Sequence, residues 1–483
     1  VTRFITDNLK QTLEVDVPFS HVRIRQYPGI ISSAEQAKAA AEAAGAVVVV
    51  WGNYNQNFVE LQVQLGTIQN FTRNKFARDV LERTINVRVQ MTDERQQSVA
   101  QPVLSVLTVL QTADGNMYDM MQTAATYQEI KVKAAEIIGD SVAAHVHRHV
   151  RGFFNDIPSG IQEMNAALAL DGGNALLYLY RALLYSRTSD FASATRDAQT
   201  AVRLGPAEWA APYYALAGDE IYSKELISYS TIIKLRPDDW FPLSLRGWVW
   251  DLRGDYKQAQ TDFERAVALQ PNANMPYMLG AMTALHQGRI NDAVSLLDTG
   301  LKKFPDPTAS SRAIRAAMGE NVGGIFAQYI SLPGYLALGQ YEDVKRIAQD
   351  TSSNLANAGA LMALTGFGPD NDSKVMQSTL NNSLADVYLY TGLAQCNLRL
   401  YPPAEAAYTS GIKANPNFTL LYLLRAEIRM KVSKSLAQED LDAIQKSPQA
   451  EAFAPYRAAL EAGKLTCENV LTTQNPVLAG RGS

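Results

Sequence analysis

Charge is scarce in this chain of 483 residues: Asp, Glu, Lys and Arg make up 19% of it, and the net charge is only −4. That balance leaves no basic footprint for wrapping nucleic acid. Long apolar runs are missing too. The longest candidate, Ala46 to Trp51, is strand-sized, far short of the ~20 residues that a membrane helix needs, so no membrane span is expected. Cysteine is nearly absent, with Cys396 and Cys467 alone. Two cysteines cannot build a disulfide framework, though one bridge between them is open.

The residues of familiar catalytic sites are also lacking. No phosphate-cradling glycine loop, Gly-x-Ser-x-Gly turn or Cys-x-x-Cys pair occurs. Carboxylates such as Asp262 and Glu264 fall where a solvated helix face is expected. Three of the five histidines cluster in His145-Val-His147-Arg-His149. On a helix His145 and His149 stand one turn apart and could share a metal. No carboxylate or cysteine has helpful spacing, however. The preferred reading is a polar helix segment whose imidazoles and Arg148 sit near a helix end that favours positive charge. No catalytic residue, resident metal or cofactor is therefore expected.

What is present is a period. Pro237, Pro271 and Pro305 each follow an amphipathic stretch and are 34 residues apart. The block before Pro271 carries Gly247, Ala259, Phe263 and Ala266. The block before Pro305 repeats the plan with Ala281, Ala293, Leu297 and Gly300. An earlier block has Ala182, Ala194, Ala198 and Ala201 before Pro206, and a later one has Gly392, Ala404, Tyr408 and Gly411 before Pro416. A small residue midway along one helix lets the next approach closely. The proline then stops the second helix, because it lacks an N–H and clashes with the preceding turn. Arg253 to Tyr256 and Leu338 to Tyr341 are expected to join paired helices, each with a glycine in the left-handed cap conformation.

These blocks resemble tetratricopeptide repeats, which are helix–turn–helix units of 34 residues. Three further blocks fit less fully: Ala207 to Pro237, Ile325 to about Ala356, and Thr419 to Pro448. Ser159 to Leu170 reads as the second half of an opening repeat. The resemblance implies a right-handed solenoid of about seven or eight helix pairs over 116–465, with insertions at 306–324 and 366–383 and a tail at 466–483. It also implies a concave groove lined from the first helices by Leu176, Leu179, Leu183, Phe241, Trp248, Met275, Met278, Met282, Leu285, Leu389 and Leu393. Those positions are mostly apolar here, so a clamp for an acidic peptide end is not expected.

The first 115 residues read as a small α/β domain with a mixed sheet. Helices are expected over Phe4 to Leu13 and Ser33 to Ala44. Strands are expected over His21 to Tyr27, Ala46 to Trp51, Phe58 to Leu65, Ile85 to Met91 and Val103 to Leu110. The runs ITDNLKQTL, VRIRQYPG and AEQAKAAAEAAGAVVVVWGNY resemble the TolB amino-terminal-like domains of bacterial repeat proteins. That family places a strand before its first helix, so the resemblance implies a sheet short of one strand.

The functional expectation is a non-enzymatic scaffold for protein–protein interaction that associates with copies of itself into an oligomer or filament. An apolar groove must be covered by something, and the tail or another segment could complete a neighbour's sheet edge. The alternative is an adaptor or sensory module that binds a different protein's segment in the groove. A weakly charged surface rich in amides and hydroxyls points to the outside or surface of a bacterial cell, with the cytoplasm as the alternative. The chain opens on Val1 with no signal peptide, as expected after loss of a leader or of an upstream part. Asn70, Asn371, Asn381 and Asn417 head sequons that would be open to sugar in an exported chain.

Overall fold

A computed structural model describes residues 25–46, 48–54, 58–65, 85–90, 108–112, 136–137, 144–146, 156–188, 190–218, 225–303, 324–365 and 373–479, with isolated positions such as Thr6, Asp7, Lys10, Met117, Met120, Arg148 and Glu220. The chain divides into two compact units. The first comprises Val1–Gly218 with Arg312–Gly323, the second Asp219–Ser311 with Gly324–Ser483. No described helix is long and apolar enough to cross a membrane.

In the first unit, helix α1 (Ala34–Ala44) starts where Ser33 accepts a hydrogen bond from the Gln36 amide, and it ends at Gly45 in the left-handed conformation. Strands β1 (Val48–Tyr54), β2 (Phe58–Leu65), β3 (Ile85–Gln90) and β4 (Glu136–Ile137) follow. They form one sheet in the order β1-β2-β3-β4. Every pairing is antiparallel, with Val48 opposite Leu65, Phe58 opposite Gln90 and Val87 opposite Ile137. The expected mixed sheet is thus corrected to an antiparallel one in sequence order, as suits β1 and β2, which follow one another too closely for a crossover. The likeness to TolB-type domains gains no support from it.

Two expected strands also change. Thr108 to Leu110, the end of the run expected as a strand, is helical, and Thr112 Oγ1 donates to the Thr108 carbonyl at 2.6 Å. A short apolar run of this length suits a buried helix turn as well as a strand. Arg25 to Tyr27 is irregular rather than extended in a ladder. The rest of both runs, and most of Phe4 to Leu13, lie outside the described residues.

Helix pairs then take over, and the expected blocks fall on them. The first unit holds α2 (Ile157–Leu170), α3 (Ala175–Arg187), α4 (Phe191–Leu204) and α5 (Ala211–Ala217). The second begins with α6 (Ile227–Leu235), α7 (Trp240–Arg253), α8 (Tyr256–Leu269), α9 (Met275–His286) and α10 (Ile290–Lys303). It continues with α11 (Gly324–Ala337), α12 (Tyr341–Thr365), α13 (Ser373–Asn397), α14 (Tyr401–Ala414), α15 (Thr419–Met430), α16 (Lys434–Lys446), α17 (Ala450–Glu461) and the short α18 (Pro476–Ala479). Side-chain caps set several starts: Asn174 accepts from the Leu176 amide and Asp239 from the Phe241 amide.

The spacing has the physical cause expected of it. Gly247 faces Phe263, and a Cβ there would stand 2.9 Å from the ring. Gly392 faces Tyr408 in the same way. Gly254 and Gly339 cap their helices at φ 88° and 74°. The expected insertion at 366–383 is helical from Ser373 onward, while 306–323 lies outside the described residues. Leu465, just before the tail, and Cys467, Val470 and Asn475 within it are buried.

Candidate functional site

The residues expected to line an open groove are in the interior. Leu176 and Leu179 of the first unit are buried, and so are Phe241, Trp248, Met275, Met278, Met282, Leu285, Leu389 and Leu393 of the second. Leu183 is half-buried. At these positions the first helices are core rather than an exposed wall, and in α9 every residue from Met275 to His286 is buried. In the second unit the cause is visible in bonds between helices that are not sequence neighbours. Asn382 Nδ2 of α13 donates to the Leu252 carbonyl of α7 at 2.7 Å. Trp248 of α7 packs edge-on against Tyr329 of α11. Gln449 Nε2 donates to the carbonyl of His286, the last residue of α9, at 2.6 Å. These contacts place non-neighbouring helices of the second unit against one another.

Among these helices lies a charged cluster. His286 Nδ1 is 2.9 Å from Asp251 Oδ1 of α7, and its Nε2 is 2.5 Å from Asp386 Oδ1 of α13. Thr283 Oγ1 donates to Asp251 at 2.7 Å, and the Tyr329 hydroxyl donates to Asp386. All five side chains are buried. A neutral imidazole has one N–H, so a ring that serves two carboxylate acceptors carries both protons and a positive charge. Burial works against that charge, yet the Asp251 and Asp386 carboxylates win and hold His286 well above the ordinary histidine range. The Tyr256 ring stacks on the imidazole at 5.0 Å and Phe418 lies 4.8 Å away, so the cluster is sealed by aromatic faces. With donors and acceptors matched, the arrangement ties α7, α9, α11 and α13 together as an ionic clamp. It presents no open position for a substrate.

A second device recurs through the repeats. Arg181 of α3 grips Asp197 of α4 with Nε at 2.6 Å and Nη2 at 2.9 Å, and sends Nη1 to Asn165 of α2 at 2.8 Å. Arg246 does the same with Asp262 and with Ser230 of the preceding helix. Arg425 repeats it with Asp440 and Thr409. Each arginine precedes the small residue of its first helix, so one guanidinium pins its own pair and the pair before. Asp262 is consequently buried, which corrects the solvated-face expectation; Glu264 is exposed as expected.

The histidine run is placed only in part. His145 is helical and buried, with Nδ1 2.6 Å from Glu163 Oε2, an oxygen that Arg148 Nε also reaches at 3.0 Å. This is an ion-paired contact onto α2 of the same unit. His147 and His149 lie outside the described residues. Among the described residues, two groups could in principle hold a metal: the Asp251–His286–Asp386 clamp, and Cys396, Glu427 and Cys467.

Those two cysteines form a disulfide with Cα atoms 6.2 Å apart, joining α13 to the tail across 71 residues. A loop of that length contributes about 4 kcal/mol in the chain-entropy account. The bridge between the only two cysteines was open from the sequence, whereas the clamp was not visible there, because its carboxylates stand at 251 and 386 and none of its members lies in a motif.

No family model matches the chain, and no curated protein matches it. Solved structures with similar helical repeats are found. One is a tetratricopeptide repeat protein from Parabacteroides merdae, 13% identical, covering 62% of this chain and 100% of its own, with a TM-score of 0.32. Another is YrrB, described as a repeat protein with an unusual peptide-binding site, 13% identical over 49% of this chain and 98% of its own, with a TM-score of 0.19. A third is a hetero-tetramer of the APC/C, 12% identical over 79% of this chain and 76% of its own, with a TM-score of 0.31.

Proposed function

We propose that this chain is a non-enzymatic scaffold for protein–protein interaction that associates with copies of itself, outside the cell or at its surface in a bacterium. The observation that carries the reading is the filled inner side of the second unit. With Met278, Met282 and Leu389 covered by their own chain, binding surface is left on the outside. There, the turns within two successive helix pairs and the start of α16 expose apolar side chains: Leu400 is 41% exposed, Val432 76% and Leu436 52%. Lys431 Nζ stands 3.9 Å over the Tyr401 ring, which sets these two turns side by side. Clustered apolar exposure of this kind marks contact surfaces. Identical patches pair about a two-fold axis, whereas unlike complementary patches extend into a filament.

The alternative adaptor, holding a foreign segment in an apolar groove, requires that same inner side to open. The Cys396–Cys467 disulfide supports an oxidising compartment. Light scattering on the chromatographed chain tests the proposal. It predicts a mass of two or more chains, reduced to one by Val432→Asp with Leu436→Asp while helical circular dichroism is kept. A wild-type chain that is monomeric at every concentration overturns it.

A further inference from the structure

The neighbourhood of the disulfide holds a donor set larger than a disulfide uses. Cys396 and Cys467 are both buried, and Glu427 of α15 is 5% exposed beside them. Both sulfurs and one Glu427 carboxylate oxygen lie within 4.8 Å of one another. The two oxygens of that carboxylate are unequal: Oε1 receives Lys431 Nζ at 2.9 Å, whereas the buried Oε2 accepts no hydrogen bond. An acceptor left so costs about 1–3 kcal/mol, and a disulfide has no proton to offer it. Glu468 adds a further oxygen 3.9 Å from Cys467 Sγ. Lys431 Nζ, 4.0 Å from Glu468 Oε1, offsets the accumulated negative charge.

We propose that, once the disulfide is reduced, Cys396, Cys467 and Glu427 bind one thiophilic divalent cation of the zinc class, with Glu468 or a water as fourth ligand. Two thiolates and carboxylate oxygen suit a tetrahedral zinc site. The chemistry balances. A thiol reductant supplies two electrons to the S–S bond and is itself oxidised to a disulfide, leaving one proton on each sulfur. The cation then displaces both thiol protons to solvent. Either state fastens the same segment, because Leu465 and Val470 are buried on the unit next to Cys467. The tail is thus held by a covalent bond where the surroundings oxidise and by a metal where they reduce. The Asp251–His286–Asp386 group has no comparable vacancy, since its donors and acceptors already satisfy one another.

The test uses the full chain, reduced with a phosphine under anaerobic conditions and titrated with cobalt(II) chloride. The expected result is a thiolate-to-cobalt charge-transfer band saturating at one equivalent per chain and bleached by zinc. Glu427→Gln should weaken cobalt binding by about tenfold or more, with helical circular dichroism unchanged. A chain carrying Cys396→Ser and Cys467→Ser sets the background and should give no band. The inference is overturned if the reduced wild-type chain gives no such band, or if Glu427→Gln binds cobalt as tightly as the wild type does.

Discussion

His286 on α9 and Asp386 on α13 are a hundred residues apart in sequence, yet the imidazole Nε2 lies 2.5 Å from the carboxylate Oδ1 in the interior of the second unit. The other ring nitrogen faces Asp251 on α7, so one side chain joins three first helices. Replacing His286 by Gln leaves two buried carboxylates without their shared cation. Such a break costs about 3 to 5 kcal/mol, which urea denaturation of the two chains would read as a lower midpoint.

The clamp also sets a direction for pH. The titratable groups facing His286 are Asp251, Asp386 and Tyr256, and the Tyr329 hydroxyl donates to Asp386. The folded-state pKa of His286 is raised well above 6.5. Its contribution is therefore present below about pH 6.5, down to where the Asp386 carboxyl, raised by burial, takes up its proton, and fades as pH climbs through the raised value. Stability of the wild-type chain relative to His286→Gln should shrink on the alkaline side. A difference that instead grew with pH would mean the ring is not held as an imidazolium.

Arg399 makes a third prediction. It is an exposed residue at φ 60°, in the turn where Gly254, Gly288, Gly339 and Gly463 adopt φ between 69° and 88° in the other pairs. A side chain in this conformation costs roughly 1–2 kcal/mol, partly offset by the extra freedom that glycine has when unfolded. Arg399→Gly should raise the thermal midpoint, with a gain of up to about 1 kcal/mol.

Two helical glycines should respond oppositely to alanine. A Cβ at Gly392 would enter the Tyr408 ring, whereas at Gly280 the nearest atom outside its own helix is Phe263 Cβ at 3.6 Å. Gly392→Ala should cost about 1–3 kcal/mol through overpacking. Gly280→Ala should be neutral or stabilising by up to about 1 kcal/mol through helix propensity. Paired denaturation curves separate the two.

These contrasts show where the sequence was informative. The recurrence of small residues at 182, 247, 281 and 392 gave the helix pairs, because close approach is a local requirement that each repeat must meet by itself. The positions of β1, β2 and β3 were legible from their β-branched and alternating residues, but pairing direction is a property of neighbours and was misread as mixed. The apolar character of Met278 and Leu389, which are buried, was legible as well. Superhelical pitch was not, since it arises from small angles summed over several pairs. His286 lies in an ordinary Leu-His-Gln stretch, and no spacing rule links it to Asp386.

The repeated arginine contacts supply a further test. Arg246→Ala leaves Asp262 buried without its bidentate partner and should cost about 2 kcal/mol. The double variant with Asp262→Ala should recover part of that loss, giving a coupling energy of about 0.5–3 kcal/mol. Strict additivity would contradict the assigned pairing.

The claim that the inner side is filled by the chain's own residues is tested most directly by oxidative footprinting of Met275, Met278 and Met282, in dilute monomer and in concentrated assembly. The account predicts that all three methionines are protected in both, while Leu400, Val432 and Leu436 lose reactivity only on assembly. Methionines that are reactive in the monomer and shielded on assembly would place the partner in the groove and contradict it.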